Sequence, residues 1–517
     1  MQYRELYTVR GFQSSSDPVA HFGLGQANTA DSVVVVWPDS SVDRLQNVTA
    51  NQLLEISQSG SSDVTDKPAN SQAIFKMTSL PGLNFRHEED RYTDFDRQKL
   101  IPYQIADRGP AVVTTDLNGD KLDDIFIGGS KFEPAVAFYQ GADGFQKIDL
   151  PAITSDSVNE QVAAGAADFN GDGLIDLVVG NGGADFFNKM KPLTDSYYQG
   201  GNDGFEKASF PSYFGNTSVI APCDFDHDGD MDIFLGTQSI SSDYGNIPKS
   251  VLLRNENGNF EEVANEQLAN AGMITDAIWT DYDGDGWEDL LLVGEWMSPV
   301  LFRNKSGQLK TLTATLPDIT GLWQSVAPFD IDGDGDLDYL LGNWGLNSKF
   351  TASAEYPLQM FYGDFDDNGS TETVLATAKK GKYYPLEGLD ELASQMVSLR
   401  KVFTSYESFA GKTVDQVFGD RLQRATKREV AMLSSGYLLN DDGQFRFVDF
   451  PETYQLAPIM DFVIADFDAD GKEEAMIGGN YHGVKPFHGR LDGFTGGLVR
   501  QGPDFMAGHE IGLELKG

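Results

Sequence analysis

Seven times along the chain, an apolar or alternating run gives way to a stretch with an acid or amide at every second position, and apolar residues follow, in most copies ending at glycine. "PAVVTT" runs into "DLNGDKLDD" and "QVAAGAA" into "DFNGDGLID", while Asp176 leads on into "LVVG", Asp232 into "IFLG", Asp338 into "YLLG" and Glu474 into "AMIG". Short apolar runs bounded by turn residues predict strands, so each unit reads as strand, polar loop, strand. A second hairpin pattern follows most units, in "AVAFYQGADGFQKIDL", "SYYQGGNDGFEKASF", "SVLLRNENGNFEEV", "VLFRNKSGQLKTL" and "GYLLNDDGQFRFVDF". Two hairpins make a four-stranded unit. The polar loops start 52, 56, 57, 49, 34 and 102 residues apart, and a period of roughly 50 residues fits the blades of a β-propeller. The expected fold is therefore all-β, a propeller of about seven blades with the polar loops in the blade hairpins.

Two intervals depart from the period. Between Asp364 and Asp466, residues Leu389, Leu392, Met396, Leu399 and Phe403 recur at helical spacing, which predicts a helical insertion over about 389–433 in a late blade. The 34-residue interval leaves two readings: the blade at Asp330 lacks its second hairpin, or the Asp364 loop lies on that hairpin. Residues 1–62 form a separate, smaller β segment that ends in the Ser-rich "SQSGSSD", and 63–517 carry the repeats.

One such loop reads equally as a solvated turn, rich in Asp, Asn and Gly for conformational reasons. Seven copies at one internal spacing point instead to a chelating loop for a hard cation, with oxygens at positions one, three, five, seven and nine. Position one is Asp116, Asp168, Asp224, Asp281, Asp330, Asp364 and Asp466, and position three is Asn118, Asn170, Asp226, Asp283, Asp332, Asp366 and Asp468. Position five is Asp120, Asp172, Asp228, Asp285, Asp334, Asn368 and Asp470, and position nine is Asp124, Asp176, Asp232, Asp289, Asp338, Glu372 and Glu474. Position seven varies freely, through Leu122, Leu174, Asp230, Trp287, Asp336, Ser370 and Lys472, as expected where only the backbone carbonyl is offered. Position six is Gly except for Lys121, and position two is always large and apolar. An EF-hand would end in a glutamate at position twelve and continue into a helix; here the last acid opens a strand.

Charge sharpens the picture. The formal net charge is −41; about 25 carboxylates sit at the ligand positions, so about seven calcium ions would leave roughly −27. That charge repels nucleic acid and anionic membranes. No apolar run reaches the roughly 18 residues of a membrane span, and "MQYRELYTVRGF" lacks a signal-like hydrophobic segment. The single Cys223 reads as an inert core thiol. No HExxH, GxSxG or Gly-rich phosphate loop occurs. The segments "RHEEDRYTDFD" and "NYHGVKPFHGRLDGF" read either as solvated, ion-paired loops or as parts of a binding or catalytic mouth. Between about Lys379 and Arg428 basic residues outnumber acids, which suits an insert docked on its own acidic propeller or a module that faces a partner.

"HFGLG" with "DSVVVVWPDSS" and "NQLLEI" resembles the ASPIC/UnbV domain, and the aspartate-rich units resemble FG-GAP or VCBS repeats. That pairing resembles the cartilage acidic protein family and large secreted bacterial relatives, especially of Bacteroidetes, as do "NFRHEEDRYTDFDRQKLIPYQ" and "GNWGLNSKF". The resemblance implies an integrin-α-like propeller, calcium in the hairpin loops, export, and adhesion or recognition, with no catalytic residues to carry over. The chain opens partway into the ASPIC-like segment and stops at "EIGLELKG", which reads as a piece of a longer exported protein. The expected function is that of an extracellular or cell-surface, non-enzymatic, calcium-binding propeller with a protein or polysaccharide partner, without nucleic acid or direct membrane insertion. The alternative is a lyase or cyclase in which His87, His482 or Arg490 meets paired carboxylates in the central mouth.

Overall fold

The computed structural model describes residues 4, 6, 19–37, 42–58, 73–76, 78–106, 108–201, 204–312, 315–441, 443–513 and 515. The chain forms two compact units, 1–72 and 73–517. In the first, Thr29–Val36 and Val42–Thr49 pair as an antiparallel hairpin. Trp37 donates its Nε1–H to Asp43 at 2.7 Å beside the turn.

The second unit is all-β in its framework. Six antiparallel sheets follow the chain at 112–148, 160–208, 216–263, 273–312, 325–449 and 459–507. In each, the first strand runs into a polar loop and the second strand leaves it, as for Glu160–Ala167 and Asp176–Gly182. The first strands touch one another in chain order, from Val112–Thr115 through Glu160–Ala167, Asn216–Cys223, Met273–Thr280 and Ser325–Pro328 to Ile459–Ala465. Consecutive sheets therefore face each other, which explains the continuous apolar second strands: Asp232–Ser239 and Asp289–Met297 are buried at every residue.

Separate apolar cores fill the spaces between neighbouring sheets. Phe126 and Leu177 meet between the first and second, Phe169 and Leu253 between the second and third, and Phe225 and Leu290 between the third and fourth. The apolar residue at loop position two enters these cores. Leu117, Phe169, Phe225, Ile331 and Phe365 are buried, while Tyr282 and Phe467 are half-buried.

The seventh sheet is nested. Lys382–Pro385, Glu372–Lys379, Leu358–Gly363 and Thr426–Val430 pair in that spatial order. They lie between Tyr339–Gly342 and Gly436–Asp441, which are hydrogen-bonded neighbours in the fifth sheet. The sheet at Asp330 thus keeps its second hairpin, displaced to 436–449, and the Asp364 loop belongs to the inserted sheet. Neither reading of the short interval anticipated this, because interval length cannot separate a missing hairpin from a postponed one. The count of about seven equivalent units included this nested sheet.

Four short helices, Leu389–Gln395, Leu399–Val402, Tyr406–Phe409 and Val414–Phe418, complete the insert. Leu392, Met396, Leu399 and Phe403 are buried against Phe361, Val374 and Ala376, so their partner is the inserted sheet itself. Arg400 pairs with Asp390 and Arg424 with Asp367, while Arg428 donates to the Gly245 carbonyl at 3.1 Å. A buried ion pair between Lys485 and Glu387 ties the insert to the sixth sheet's long connection. Below the insert, Tyr103 stacks on Trp344 at 4.2 Å within a core that also holds Leu358, Met360 and Tyr481.

Candidate metal centres

Each polar loop is shaped by its own carboxylates. The position-one carboxylate accepts N–H groups from across the turn: Asp168 from Asp172 and Gly173 at 3.0 and 2.8 Å, Asp281 from Asp285 and Gly286 at 3.0 and 2.9 Å, and Asp466 from Asp470 and Gly471 at 3.1 and 3.0 Å. Position five accepts the N–H of position seven in all seven loops, from 2.7 Å at Asn368 with Ser370 to 3.1 Å at Asp285 with Trp287. Such bonds bend the backbone around the acids. Position six has positive φ throughout, from 85° to 100° at its six glycines and 73° at Lys121. Position four is also left-handed in every loop, including His227, Asp367 and Ala469.

Position nine differs in kind. Asp124, Asp176, Asp232, Asp289 and Asp338 are wholly buried, and Glu372 and Glu474 nearly so. One oxygen typically accepts the N–H of position two and the other an N–H of the third strand. Asp124 takes Leu117 at 3.0 Å and Gln140 at 2.8 Å, and Asp338 takes Ile331 at 3.0 Å and Asn440 at 2.7 Å. Asp176 also accepts the Tyr197 hydroxyl at 2.7 Å. Burial raises these acids: Asp232 and Asp289 to about 7, Glu372 to about 7 and Asp338 to about 6, with nearby loop carboxylates adding to the rise. By contrast the Gly369 N–H holds Asp364 below the usual carboxylate range.

Five loops bring acids into one possible coordination sphere, with oxygens within 4.8 Å of one another: Asp224, Asp226 and Asp232; Asp281, Asp283 and Asp285; Asp330, Asp332 and Asp338; Asp364, Asp366 and Glu372; and Asp466, Asp468, Asp470 and Glu474. Asp228, Asp230, Asp289, Asp334 and Asp336 stand outside those groups. Among the described residues no such group of three acids forms at the Asp116 or Asp168 loops, where Asn118 and Asn170 occupy position three. The groups contain buried carboxylate oxygens without a hydrogen-bond partner, at Asp226 Oδ1, Asp366 Oδ1 and Glu372 Oε1, and Asp289 Oδ2 is a fourth beside them. A cation is what such oxygens fit.

The third strand supplies residues that loop spacing did not reveal. Arg254 reaches Asp226 at 2.7 Å, Arg303 reaches Asp283 and Asp285 at 2.6 and 2.9 Å, and Arg500 pairs with Asp468. The adjacent Asn255 donates to Met231 in its own loop at 3.0 Å and to Phe169 of the preceding loop at 2.7 Å. Asn304 repeats this with Glu288 at 3.1 Å and Phe225 at 2.7 Å. The recurring "RN" in "LLRNENG" and "LFRNKSG" was the available signal. Adjacent loops also touch through His227, stacked on Trp287 at 4.1 Å.

The comparisons with known proteins agree with this repeat. The family described as ASPIC and UnbV matches residues 1–63, and the FG-GAP-like repeat matches 116–179, 168–235 and 281–341, each span opening on a position-one aspartate. The chain carries an ASPIC and UnbV segment together with FG-GAP-like repeats. It is 29% identical over 180 residues to human cartilage acidic protein 1, covering 34% of this chain and 27% of that protein. The Xenopus tropicalis protein of the same name is 30% identical over 190 residues, covering 36% of this chain and 29% of its own length. The chain therefore spans less than a third of the relatives it matches. Among solved structures, an Agrocybe aegerita lectin that recognises non-reducing terminal N-acetylglucosamine overlays 54% of this chain and 65% of its own, at 17% identity and a TM-score of 0.32. The V. cholerae biofilm matrix protein Bap1 overlays 79% of this chain and 81% of its own, at 13% identity and a TM-score of 0.33. Overlays this loose carry no functional argument.

Other candidates from the sequence make local contacts. Cys223 is buried in a sheet core, and burial pushes its thiol up to about 12. His87 pairs with Glu89 at 2.7 Å, and Arg490 with Asp492. Asn47, Asn216 and Asn304 each stand two residues before a Ser or Thr, the pattern of a glycosylation sequon; Asn216 and Asn304 are buried and Asn47 is exposed. No helix among the described residues is long and apolar enough to cross a membrane.

Proposed function

We propose that the second unit is a calcium-stabilised β-propeller of six blades with a nested module, acting outside the cell in adhesion or recognition of a protein or polysaccharide. The carrying observation is the set of buried, unpartnered carboxylate oxygens at loop positions three and nine. These oxygens are expensive to keep unpaired beside other acids, and a divalent ion offsets both costs at once. Positions one, three, five and nine would hold the ion, with the position-seven carbonyl. The ion supplies charge neutralisation and a rigid link between loop and sheet.

Calcium fits better than zinc, because the ligand sets are all oxygen and no His or Cys joins them. An external setting supplies millimolar calcium, which fills even weak sites of this type. The net charge of −41 accords with a partner that is itself not strongly anionic. Equilibrium dialysis of the whole chain followed by elemental analysis tests the reading. Five to seven calcium ions per chain are expected; one or none sinks it.

A further inference from the structure

A cavity of about 260 Å³ lies among the first strands of the sheets, apart from the polar loops. Four of those strands break register there. The bulged residues Val162, Ser218, Thr275 and Met460 each stand between two paired positions, and all four line the cavity. A bulge re-aims side chains at the cost of ladder bonds, and four of them do so around one space. A further irregularity adjoins it: Trp296 has φ +60, a left-handed conformation that a bulky residue adopts at a steric cost, next to the buried Glu295.

Glu295 organises one wall. It accepts Tyr244 Oη at 2.8 Å, Gln238 Nε2 at 2.9 Å and Gln324 Nε2 at 3.3 Å, and lies 3.5 Å from Arg108 Nη2. Arg108 also donates to Gln324 Oε1 at 2.7 Å and rests over the Tyr481 ring. Its Nη1, however, is buried without a partner, as is Oδ1 of Asn216, whose side chain is 4% exposed. Both residues line the cavity, one lacking an acceptor and the other a donor.

The remaining charge is negative. Asp276 and Asp461 line the same space from the fourth and sixth sheets; Asp276 accepts Val326 N–H at 2.9 Å and Ala277 N–H at 2.8 Å, Asp461 accepts Phe462 N–H at 2.8 Å, and among the described residues neither forms an ion pair. Burial raises Asp276 to about 7, with the charge of Asp461 adding to it. Asp461 and Val463, two residues on, are exposed, so the cavity opens along that strand. The volume equals about nine waters at roughly 30 Å³ each, enough for one monosaccharide or amino acid.

We propose that this cavity binds a small protonated amine that also carries a neighbouring oxygen acceptor, the amine set against Asp461 and Asp276 and the acceptor against Arg108 Nη1. An ammonium group adds the cation that these two carboxylates, bonded to backbone N–H groups alone, do not have among the described residues, and a single anion or neutral polyol would satisfy only one side. Two sources share this chemistry, a hexosamine and an α-amino acid. The site is independent of the calcium reading.

The test uses the whole chain in excess calcium, with glucosamine, glucose, alanine and acetate as probes, followed by saturation-transfer NMR and calorimetry. Binding of glucosamine but not alanine assigns the site to a hexosamine, and the reverse to an amino acid; either supports the proposal. Asp461→Asn should weaken the bound amine about tenfold while leaving the calcium count unchanged. Since Arg108 is embedded in a buried network, Asn216→Asp provides the second variant, which should tighten the amine if it folds. Equal binding of glucose and glucosamine, binding untouched by Asp461→Asn, or no binding of any probe at millimolar concentration would overturn it, the last meaning a cavity filled only by water.

Discussion

Replacing Asp176 by Ala separates the two jobs of the polar loops. Its carboxylate is wholly buried and accepts Phe169 N–H at 3.1 Å, Gly200 N–H at 2.7 Å and Tyr197 O–H at 2.7 Å. Removing it strands three buried donors at about 1–3 kcal/mol each, partly offset by relief from burying a carboxylate. The net loss should be on the order of 3–5 kcal/mol, a large part of a typical stability of about 5–15 kcal/mol. Asp172→Ala, four residues earlier, removes bonds to Leu174 N–H and Asn170 Nδ2, both at 2.9 Å on an exposed loop where water replaces them. That should cost below about 1 kcal/mol. Urea unfolding in EDTA isolates the protein's own share, read as a midpoint shift at constant slope. In calcium, Asp172→Ala should lose further stability because a ligand is gone. If the two variants fall equally in EDTA, position nine has no special structural role and the reasoning fails.

Other outcomes follow from the same geometry. Chelation should lower the melting temperature sharply, since each site adds about 2.7 kcal/mol at a hundredfold excess over Kd; an unmoved melting curve contradicts this. Asp281→Ala should remove one calcium by elemental analysis and Glu288→Ala none, because Glu288 faces His227 at 3.2 Å. Lys121→Gly should raise stability by about 1 kcal/mol in a thermal melt, since Lys121 holds φ +73 where six loops have Gly. Asp195 is buried, accepts Asn181 N–H at 2.9 Å and Thr217 Oγ1 at 3.0 Å, and burial raises it to about 7. The folded state therefore keeps this proton longer than the unfolded state, so its contribution to stability falls as pH rises from about 4 to about 7, by up to about 1.4 kcal/mol per unit. Asp195→Asn should flatten that slope in calcium-free melts; an unchanged slope refutes the assignment.

The loops were legible because their chemistry is local. Nine residues fix which side chains must be acidic, where the backbone turns left-handed and which residue enters a core, and the structure places Phe169 and Phe225 accordingly. Nothing within nine residues reveals that Asp338 also binds the N–H of Asn440, 102 residues later. Its dual role is a tertiary fact. The helical spacing of Leu392, Met396 and Leu399 was visible, but their partner was not, because an apolar stripe specifies that a surface exists and not which one. Arg108 carried no signal at all: its meaning arises from Glu295 and Gln324, far along the chain.

The nested sheet has a consequence for how the chain reaches its native state. Tyr339–Gly342 must wait for Gly436–Asp441 before the fifth sheet is complete. Closing a flexible segment of that length costs only about 0.6 kcal/mol more per doubling, but a long search slows folding. The insert shortens that search, because Leu358 pairs with Val430 and so brings its entry and exit side by side. Once that sheet has formed, the ribosome-fresh chain from 343 to 435 behaves as a short tether, and the waiting strand finds its neighbour at a distance set by a hairpin. Because Leu341 pairs with Gly436, removing such a module leaves host strands that a link of a few residues can rejoin.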